Sequence, residues 1–322
     1  MKFLILGGHG FIGHTLARQL KEDNHDINIV DCHHNYGEYQ PWEHEPVLTQ
    51  RIKYMGDHSF YEGSVTDEKW LESVFEEVKP NIVIDLATYP NAKMVKKNIV
   101  DATENMITAT ALALNLSAKY KVNRFVLASS SMVYGNFDVF DGPPNENDIC
   151  NPLTLYGSYK LQCEKMCQIW YKEHGLEYSI LRPSALYGVR DMVVRVISIM
   201  TVSALKNKKI IVNGADNKLD FSNVEDVASA FKWASIHPNC VNRIFNCTRG
   251  NGRKIIEAAE LINSYIPSTI ELQSHDDFYP NRDTLNSNLL KELTPWLPST
   301  DIETGIPEYL DWFMKQNYLN RF

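Results

Sequence analysis

The sequence predicts an α/β protein: a doubly wound parallel sheet followed by a smaller C-terminal α/β region. Three observations carry this expectation. Short apolar runs alternate with stretches of helical periodicity through residues 1–182. Those runs are near-continuous Val, Ile, Leu and Phe rather than half-polar alternations, as strands buried on both faces require. The first run closes in a glycine turn that opens a helix, which is the first half of a βαβ unit.

Lys2–Leu6 is the first strand, ended by Gly7-Gly8-His9-Gly10, and Phe11–Lys21 follows as a helix through Phe11, Leu16 and Leu20. Gly7, Gly10 and Gly13 form a GxxGxxG spacing, slightly wider than the fingerprint of a Rossmann-type dinucleotide site. Such glycines permit a tight turn and close backbone approach to a pyrophosphate at the helix N-terminus, where free N–H groups and the dipole favour anions. A second strand, Ile27–Val30, ends in Asp31, about twenty residues on. An acid there accepts hydrogen bonds from an adenosine ribose and repels a 2′-phosphate. The expected cofactor is NAD rather than NADP.

Cys32–Arg51 is polar and irregular, with two prolines, and reads as a solvated loop. Its histidines, His33, His34 and His44, lack the HxH or HxxxH spacing that sets two ligands on one element, so no metal site is expected. Ser59–Ser64 reads as the third strand, Asp67–Val78 as a helix capped by Asp67, and Asn81–Ala87 as the fourth strand. Asp101–Ser117 is a long helix, and Arg124–Ser130 a strand running into a serine triplet. A helix from Tyr156 and a strand at Tyr178–Arg182 complete the large sheet. Beyond it the pattern loosens into helices at Asp191–Lys206, Val224–Ile236, Arg253–Tyr265, Asn286–Leu293 and Ile302–Lys315, with strands at Lys209–Val212 and Val241–Cys247. The expected division is an NAD-binding domain over 1–182, to which 216–250 returns, and a substrate-binding domain made of 183–215 and 251–322.

Composition narrows the classes. The chain has 322 residues, 44% of them hydrophobic, and a net charge of −8 with no long basic run. Nucleic acid and anionic membranes are poor partners for such a surface. The six cysteines form no CxxC pair and no disulfide framework, and buried reduced thiols are the expectation. No apolar stretch approaches the roughly 18 residues of a membrane span. Met1-Lys2 leads straight into a strand, so a soluble, cytoplasmic protein is expected.

Asn151-Pro-Leu-Thr-Leu-Tyr-Gly-Ser-Tyr-Lys160 carries the chemistry. Tyr156 and Lys160 are one helical turn apart on one face. An ammonium near a phenol favours the phenolate, and such a pair can take a proton from an alcohol or return one to a carbonyl. By itself the spacing is common. Thr88, Ser129, Ser130 and Tyr156 nevertheless all fall at or just after strand ends, where sheets of this kind bind ligands.

Taken in order, Gly7-Gly-His-Gly-Phe-Ile-Gly13, Asp31, Ser129-Ser-Ser-Met-Val-Tyr-Gly135, Tyr156-Gly-Ser-Tyr-Lys160 and Leu181-Arg-Pro-Ser-Ala-Leu-Tyr-Gly188 resemble the extended short-chain dehydrogenase/reductase superfamily, the NAD-dependent sugar-nucleotide epimerases and dehydratases. Pro295-Trp296-Leu297-Pro298 extends the resemblance toward the C-terminus. It implies that Ser130, four residues before Tyr134, hydrogen-bonds the reacting hydroxyl, that Tyr156 is the general base, and that Lys160 supports Tyr156 and holds the nicotinamide ribose. It further implies cofactor contacts at Gly7, Gly10, Phe11, Ile12, Gly13, Asp31, Ser64, Val65, Leu86, Ala87, Thr88, Asn105, Tyr156, Lys160 and Pro183. It also implies a homodimer formed by two helices, with Met106, Leu112, Leu116, Met166, Ile169 and Trp170 as the apolar residues on them.

Within the superfamily, dehydratases place an Asp-Glu pair after the catalytic residue, and the positions here are Ser131 and Met132. A thioether moves no protons. GDP-fucose synthases use a Cys at that place and a later His, where this chain has Met132 and Arg190. What remains is oxidation and re-reduction at one carbon, a 4-epimerase, with a simple dehydrogenase or reductase as the alternative. A non-catalytic NAD-binding protein is the reading from a different class. Two departures stand out. Ser64 replaces the acid that holds the adenine amine, and Leu219 replaces an Arg that holds the substrate diphosphate. Ser131, Met132, Arg190, Arg195 and Arg282 are the expected substrate contacts, with Arg195 and Arg282 first in line for the diphosphate.

Overall fold

A computed structural model describes residues 1–35, 41–192 and 195–316. The large sheet is built from β1 (Lys2–Leu6), β2 (Asp26–Asp31), β3 (Ser59–Glu62), β4 (Ile82–Asp85), β5 (Arg124–Ala128), β6 (Glu177–Arg182) and, far along the chain, Arg243–Asn246. All its pairings are parallel, and the strand order is Arg243–Asn246, β6, β5, β4, β1, β2, β3. β1, β4 and β5 are buried almost end to end, which is why they read as unbroken apolar runs. The order reverses between β1 and β4, and this opens a crevice at their carboxyl ends.

Helices cover both faces. On one, α1 (Phe11–Glu22) packs with Val224–Ile236 over a core that includes Ile5, Ile29, Val126 and Phe231. α2 (Pro41–Met55) packs beside α1 on this same face, with Met55 in the first core and Tyr54 Oη donating to Glu225 at 2.8 Å. On the other face lie α3 (Glu68–Val78), α4 (Ala92–Lys97), α5 (Ile99–Thr103), α6 (Ala109–Lys119) and α7 (Leu155–His174). Of these, α3, α6 and α7 enclose the second core around Val83, Phe125 and Ile180. The Asp67 carboxylate caps α3 by accepting from Trp70 N at 3.1 Å. The long helix expected at 101–117 is present, but a π-helical turn at Glu104–Thr108 joins α5 to α6. Such turns widen a helix locally and recur at functional sites. Of the apolar residues named for a dimer face, Met106, Leu116 and Met166 are buried inside this chain, whereas Ile169 is 44% exposed.

The C-terminal part adds two small sheets. β7 (Ala185–Tyr187), β9 (Lys218–Asn223) and β11 (Gly252–Lys254) form one, and β8 (Lys209–Asn213) pairs with β12 (Thr269–Gln273). β10 is the strand that returns to the large sheet. Around the small sheets pack α8 (Val196–Asn207), α10 (Ile255–Tyr265) and α12 (Ile302–Met314), while α9 is the Val224–Ile236 helix and α11 (Asn288–Leu293) lies under the large sheet. Leu290 and Trp296, in the stretch assigned above to the substrate domain, therefore belong to the first core.

Three expectations need correction. The solvated loop at 32–51 contains α2, with Pro46 inside it; residues 36–40 of that stretch lie outside the described residues. The helix expected from Asp191 begins only at Val196, and residues 193–194 are likewise not described. Strands β7, β9, β11 and β12 have no counterpart in the sequence reading. Cys32 is exposed and Cys150 half-buried, whereas Cys163, Cys167, Cys240 and Cys247 are buried as expected. No described helix is long and apolar enough to cross a membrane.

Candidate active site

α7 presents Tyr156 and Lys160, and its ends are pinned locally. Thr154 Oγ1 accepts from Gly157 N at 3.1 Å, and Gly175 ends the helix in a left-handed conformation, its N–H reaching Tyr171 O at 2.9 Å. Gly157 decides how closely α7 approaches the serine loop, because a Cβ there would lie 2.4 Å from Met132 O. Ser130 follows β5 directly. Its Oγ accepts from Met132 N at 3.2 Å and so caps the single helical turn at Ser131–Val133.

Lys160 is buried, and its Nζ donates to Ala128 O at 2.7 Å while lying 5.9 Å from the Tyr156 ring centroid. Asp85 sits beneath it at the end of β4, accepting from Thr110 Oγ1 at 2.9 Å and from Ala87 N at 3.2 Å. Burial pushes the Asp85 carboxyl up, and the Lys160 ammonium opposes that shift. The base of the site is a buried polar network. Glu164, one turn after Lys160, takes Arg182 Nε at 2.8 Å and Nη2 at 2.6 Å, and also accepts from Ser129 Oγ. Arg182 Nη1 reaches Tyr134 Oη at 2.8 Å, and Tyr134 bonds Asn246 Oδ1 at 2.9 Å. Burial works against the Arg182 charge, yet the Glu164 carboxylate outweighs it and the guanidinium's pKa rises.

Ser130, Met132, Tyr156 and Lys160 line a cavity of about 670 Å³ that runs from the glycine turn into the C-terminal part. At one end it is walled by Gly7, Gly10, Phe11, Ile12, Gly13, Asp31, Val65, Leu86, Ala87, Thr88, Asn105 and Pro183, all expected cofactor contacts. Ser64 is not on that wall; its hydroxyl pairs with Thr66 Oγ1 at 2.7 Å. The glycine turn is packed closely against its own surrounding backbone. A Cβ on Gly7 would lie 2.9 Å from Ala87, and one on Gly13 would lie 2.5 Å from Gly8 O. Gly10 caps α1 without a side chain, so no cap side chain occupies the first-turn amides. Asp31 receives His9 N at 3.0 Å on one oxygen and His33 N at 2.8 Å on the other. A carboxylate has further lone pairs for ribose hydroxyls.

Sequence reasoning missed a histidine chain at this end. His9 Nδ1 meets His33 Nε2 at 2.7 Å, His9 Nε2 meets His58 Nε2 at 3.0 Å, and His58 Nδ1 meets Gly56 O at 2.7 Å. The Gly56 carbonyl can only accept, so His58 carries a proton on Nδ1; with one proton on each ring, His9 and His33 would then carry theirs on Nε2. Burial, then the neighbouring His33 and His58, lowers the His9 pKa to about 3. Among the described residues no group of three or more His, Cys, Asp or Glu side chains could hold a metal ion.

The arginines separate by environment. Arg190 is off the cavity: its guanidinium lies 3.4 Å from the Tyr54 ring centroid, and its Nε donates to His14 Nε2 at 3.0 Å. Ser131 is buried and bonds Ser184 Oγ at 3.3 Å, again off the cavity wall. Lys218 pairs with Asp283 at 3.2 Å on the surface. Arg195 lines the cavity near the glycine turn, 4.7 Å over Phe11, and pairs with Asp191. Arg282 lines the opposite part; its Nε is buried with no hydrogen-bond partner among the described residues. Burial lowers the Arg282 pKa, while Tyr279 and Tyr156 act to raise it. Leu219 is buried and contributes only carbon to the same wall.

A parallel sheet with this reversal, a glycine turn and an acid at the second strand's end defines a nicotinamide-dinucleotide-binding protein. The chain belongs to the NAD dependent epimerase/dehydratase family, whose model matches residues 3–248. It is 31% identical over 248 residues to a dTDP-D-glucose 4,6-dehydratase of Dictyostelium discoideum, covering 71% of this chain but only 54% of that relative. It is 29% identical over 324 residues to a Methanocaldococcus jannaschii protein provisionally named a UDP-glucose 4-epimerase, covering 98% and 99% of the two chains. In fold it is similar to the UDP-glucose 4-epimerase of Thermotoga maritima solved with UDP-glucose, with a TM-score of 0.87, 24% identity, and 98% and 99% of the chains covered.

Proposed function

We propose that the protein is an NAD-dependent nucleotide-sugar 4-epimerase. The observation that carries this reading is the make-up of the catalytic wall. Ser130, Tyr156 and Lys160 share one cavity, and the position where dehydratases would need a second proton donor holds the buried thioether of Met132. Bound NAD supplies a hydride acceptor and donor. Tyr156 then takes the proton of the sugar hydroxyl, Ser130 holds that oxygen, and Lys160 fixes Tyr156 from below. Once the keto sugar has turned over, return of the hydride to the other face of the carbon and of the proton from Tyr156 to the oxygen would give the epimer. Arg282 is the candidate for the substrate diphosphate, because its buried Nε lines the cavity with no hydrogen-bond partner among the described residues. The Leu219 wall favours one second reading, a dehydrogenase or reductase of a carbonyl substrate that carries no diphosphate.

Incubation with UDP-, GDP-, CDP- and dTDP-sugars, followed by NMR, tests the proposal. One 4-epimer pair should equilibrate without NADH accumulating in solution. A 4-keto-6-deoxy product would instead make the enzyme a dehydratase, and stoichiometric NADH would make it a dehydrogenase. A homodimer through α5 and α7 is proposed on the exposure of Ile99 (49%), Val100 (74%) and Ile169 (44%). Sedimentation equilibrium of an Ile169→Glu variant tests it.

A further inference from the structure

Helix α2 presents one face to the cofactor end of the cavity. His44, Leu48 and Arg51, spaced four and three residues apart, line it together with His9, Phe11, Asp31 and His33. Arg51 is buried, and its fork spans two walls. Nε and Nη2 donate to Arg190 O at 3.1 and 2.7 Å, and Nη1 reaches His9 O, in the glycine turn, at 3.4 Å. The Arg51 guanidinium carbon lies 5.7 Å from the Phe11 ring centroid, and that of Arg195 lies 4.7 Å from it. Phe11 opens α1, so two guanidiniums flank the helix N-terminus that faces the cavity. Between them Asp191 is buried; burial raises its carboxyl pKa, and Arg195 and then Arg51 oppose that rise.

We infer that α2 is a clasp over the bound dinucleotide, with Arg51 and Arg195 supplying positive charge to its pyrophosphate. This rests on the NAD reading of the site and moves Arg195 from the substrate to the cofactor. The physical case has three parts. A helix N-terminus alone attracts an anion weakly through partial charges that water screens. Two guanidiniums beside the one buried carboxylate of Asp191 leave net positive charge in a low-dielectric wall, which acts on a diphosphate far more strongly. Because Arg51 ties α2 to both the glycine turn and the Arg190 turn, α2 is held against the cofactor end of the cavity.

The test compares ligands that differ in phosphate. Cofactor is stripped from wild type, Arg51→Gln and Arg195→Gln, and the affinities of adenosine, ADP-ribose and NAD are measured by ligand-detected NMR and calorimetry. Each variant should bind ADP-ribose and NAD about 10- to 100-fold more weakly, with adenosine unchanged within about twofold, since adenosine carries no phosphate for the lost charge to hold. Equal losses for adenosine and ADP-ribose would reduce the arginines to structural pins, and unchanged ADP-ribose affinity would remove them from the pyrophosphate; either overturns the clasp. If Arg51→Gln fails to fold, Arg195→Gln carries the same comparison. Wild type that binds no ADP-ribose would sink the NAD reading itself, a separate outcome.

Discussion

Replacing Glu164 by Gln should cost this protein far more stability than replacing a surface carboxylate. The Glu164 and Arg182 side chains are 1% and 3% exposed, and the pair is bidentate. Gln at 164 keeps the shape but leaves the Arg182 charge buried without its counter-ion. Breaking a buried pair in this way costs about 3–5 kcal/mol. At about 2.1 cal/mol/K of unfolding entropy per residue, a chain of 322 residues loses roughly 4–7 °C of Tm for that penalty. Scanning calorimetry of the apo protein measures it. The double variant Glu164→Gln/Arg182→Met should recover at least half the loss, because the uncompensated charge is then gone. A Tm change under about 1 °C for Glu164→Gln would refute the reasoning, since the pair would then be no better than a solvated one.

Other perturbations separate chemistry from architecture. Tyr156→Phe should lower kcat by about 10²–10⁴-fold with NAD content unchanged, as read by turnover and by absorbance of released cofactor. Gly157→Ala places a Cβ 2.4 Å from Met132 O, so α7 must shift; kcat should fall at least about tenfold with little change in KM, which steady-state kinetics decides. Arg282→Ala should raise substrate KM about 10- to 100-fold and leave Tm within a few degrees, and an unchanged KM would exclude it from the diphosphate. Acid should weaken the fold through His9. Its pKa is about 3 in the folded protein and 6.5 as a free side chain, so below pH 6.5 the unfolded chain takes up a proton that the folded one refuses. That contribution is complete above pH 6.5 and is lost as pH falls toward 3. His9→Gln should flatten the Tm-against-pH curve across that window, and parallel curves would dismiss the histidine chain as a stability determinant.

Much of the fold was legible because its signals are local. The β1–glycine–α1 unit, the Asp67 cap and the return strand near 243 each show in adjacent residues. α2 was hidden because its amphipathic signal is weak and interrupted by Pro46, and because the polar stretch before it reads as loop. The small strands β7, β9, β11 and β12 have three to six residues each, and only their partners make them strands. The π-helical turn that carries Asn105 left no mark in a sequence suited to a continuous helix.

The sequence by itself determined the doubly wound sheet and the dinucleotide end of the cavity, since backbone turns and apolar periodicity act between near neighbours in the chain. The grouping of Ser130 with Tyr156 and Lys160 was what the family resemblance implied. Tertiary structure decided what each charge is for. Arg182, Arg190, Arg195 and Arg282 are equivalent as letters, yet one is neutralised by Glu164, one lies against Tyr54, one flanks Phe11 and one keeps a buried N–H in the cavity with no partner among the described residues. Charges pair through space rather than along the chain. An arginine's partner is therefore set by the packing that brings distant segments together, and that packing exists only once the chain is folded.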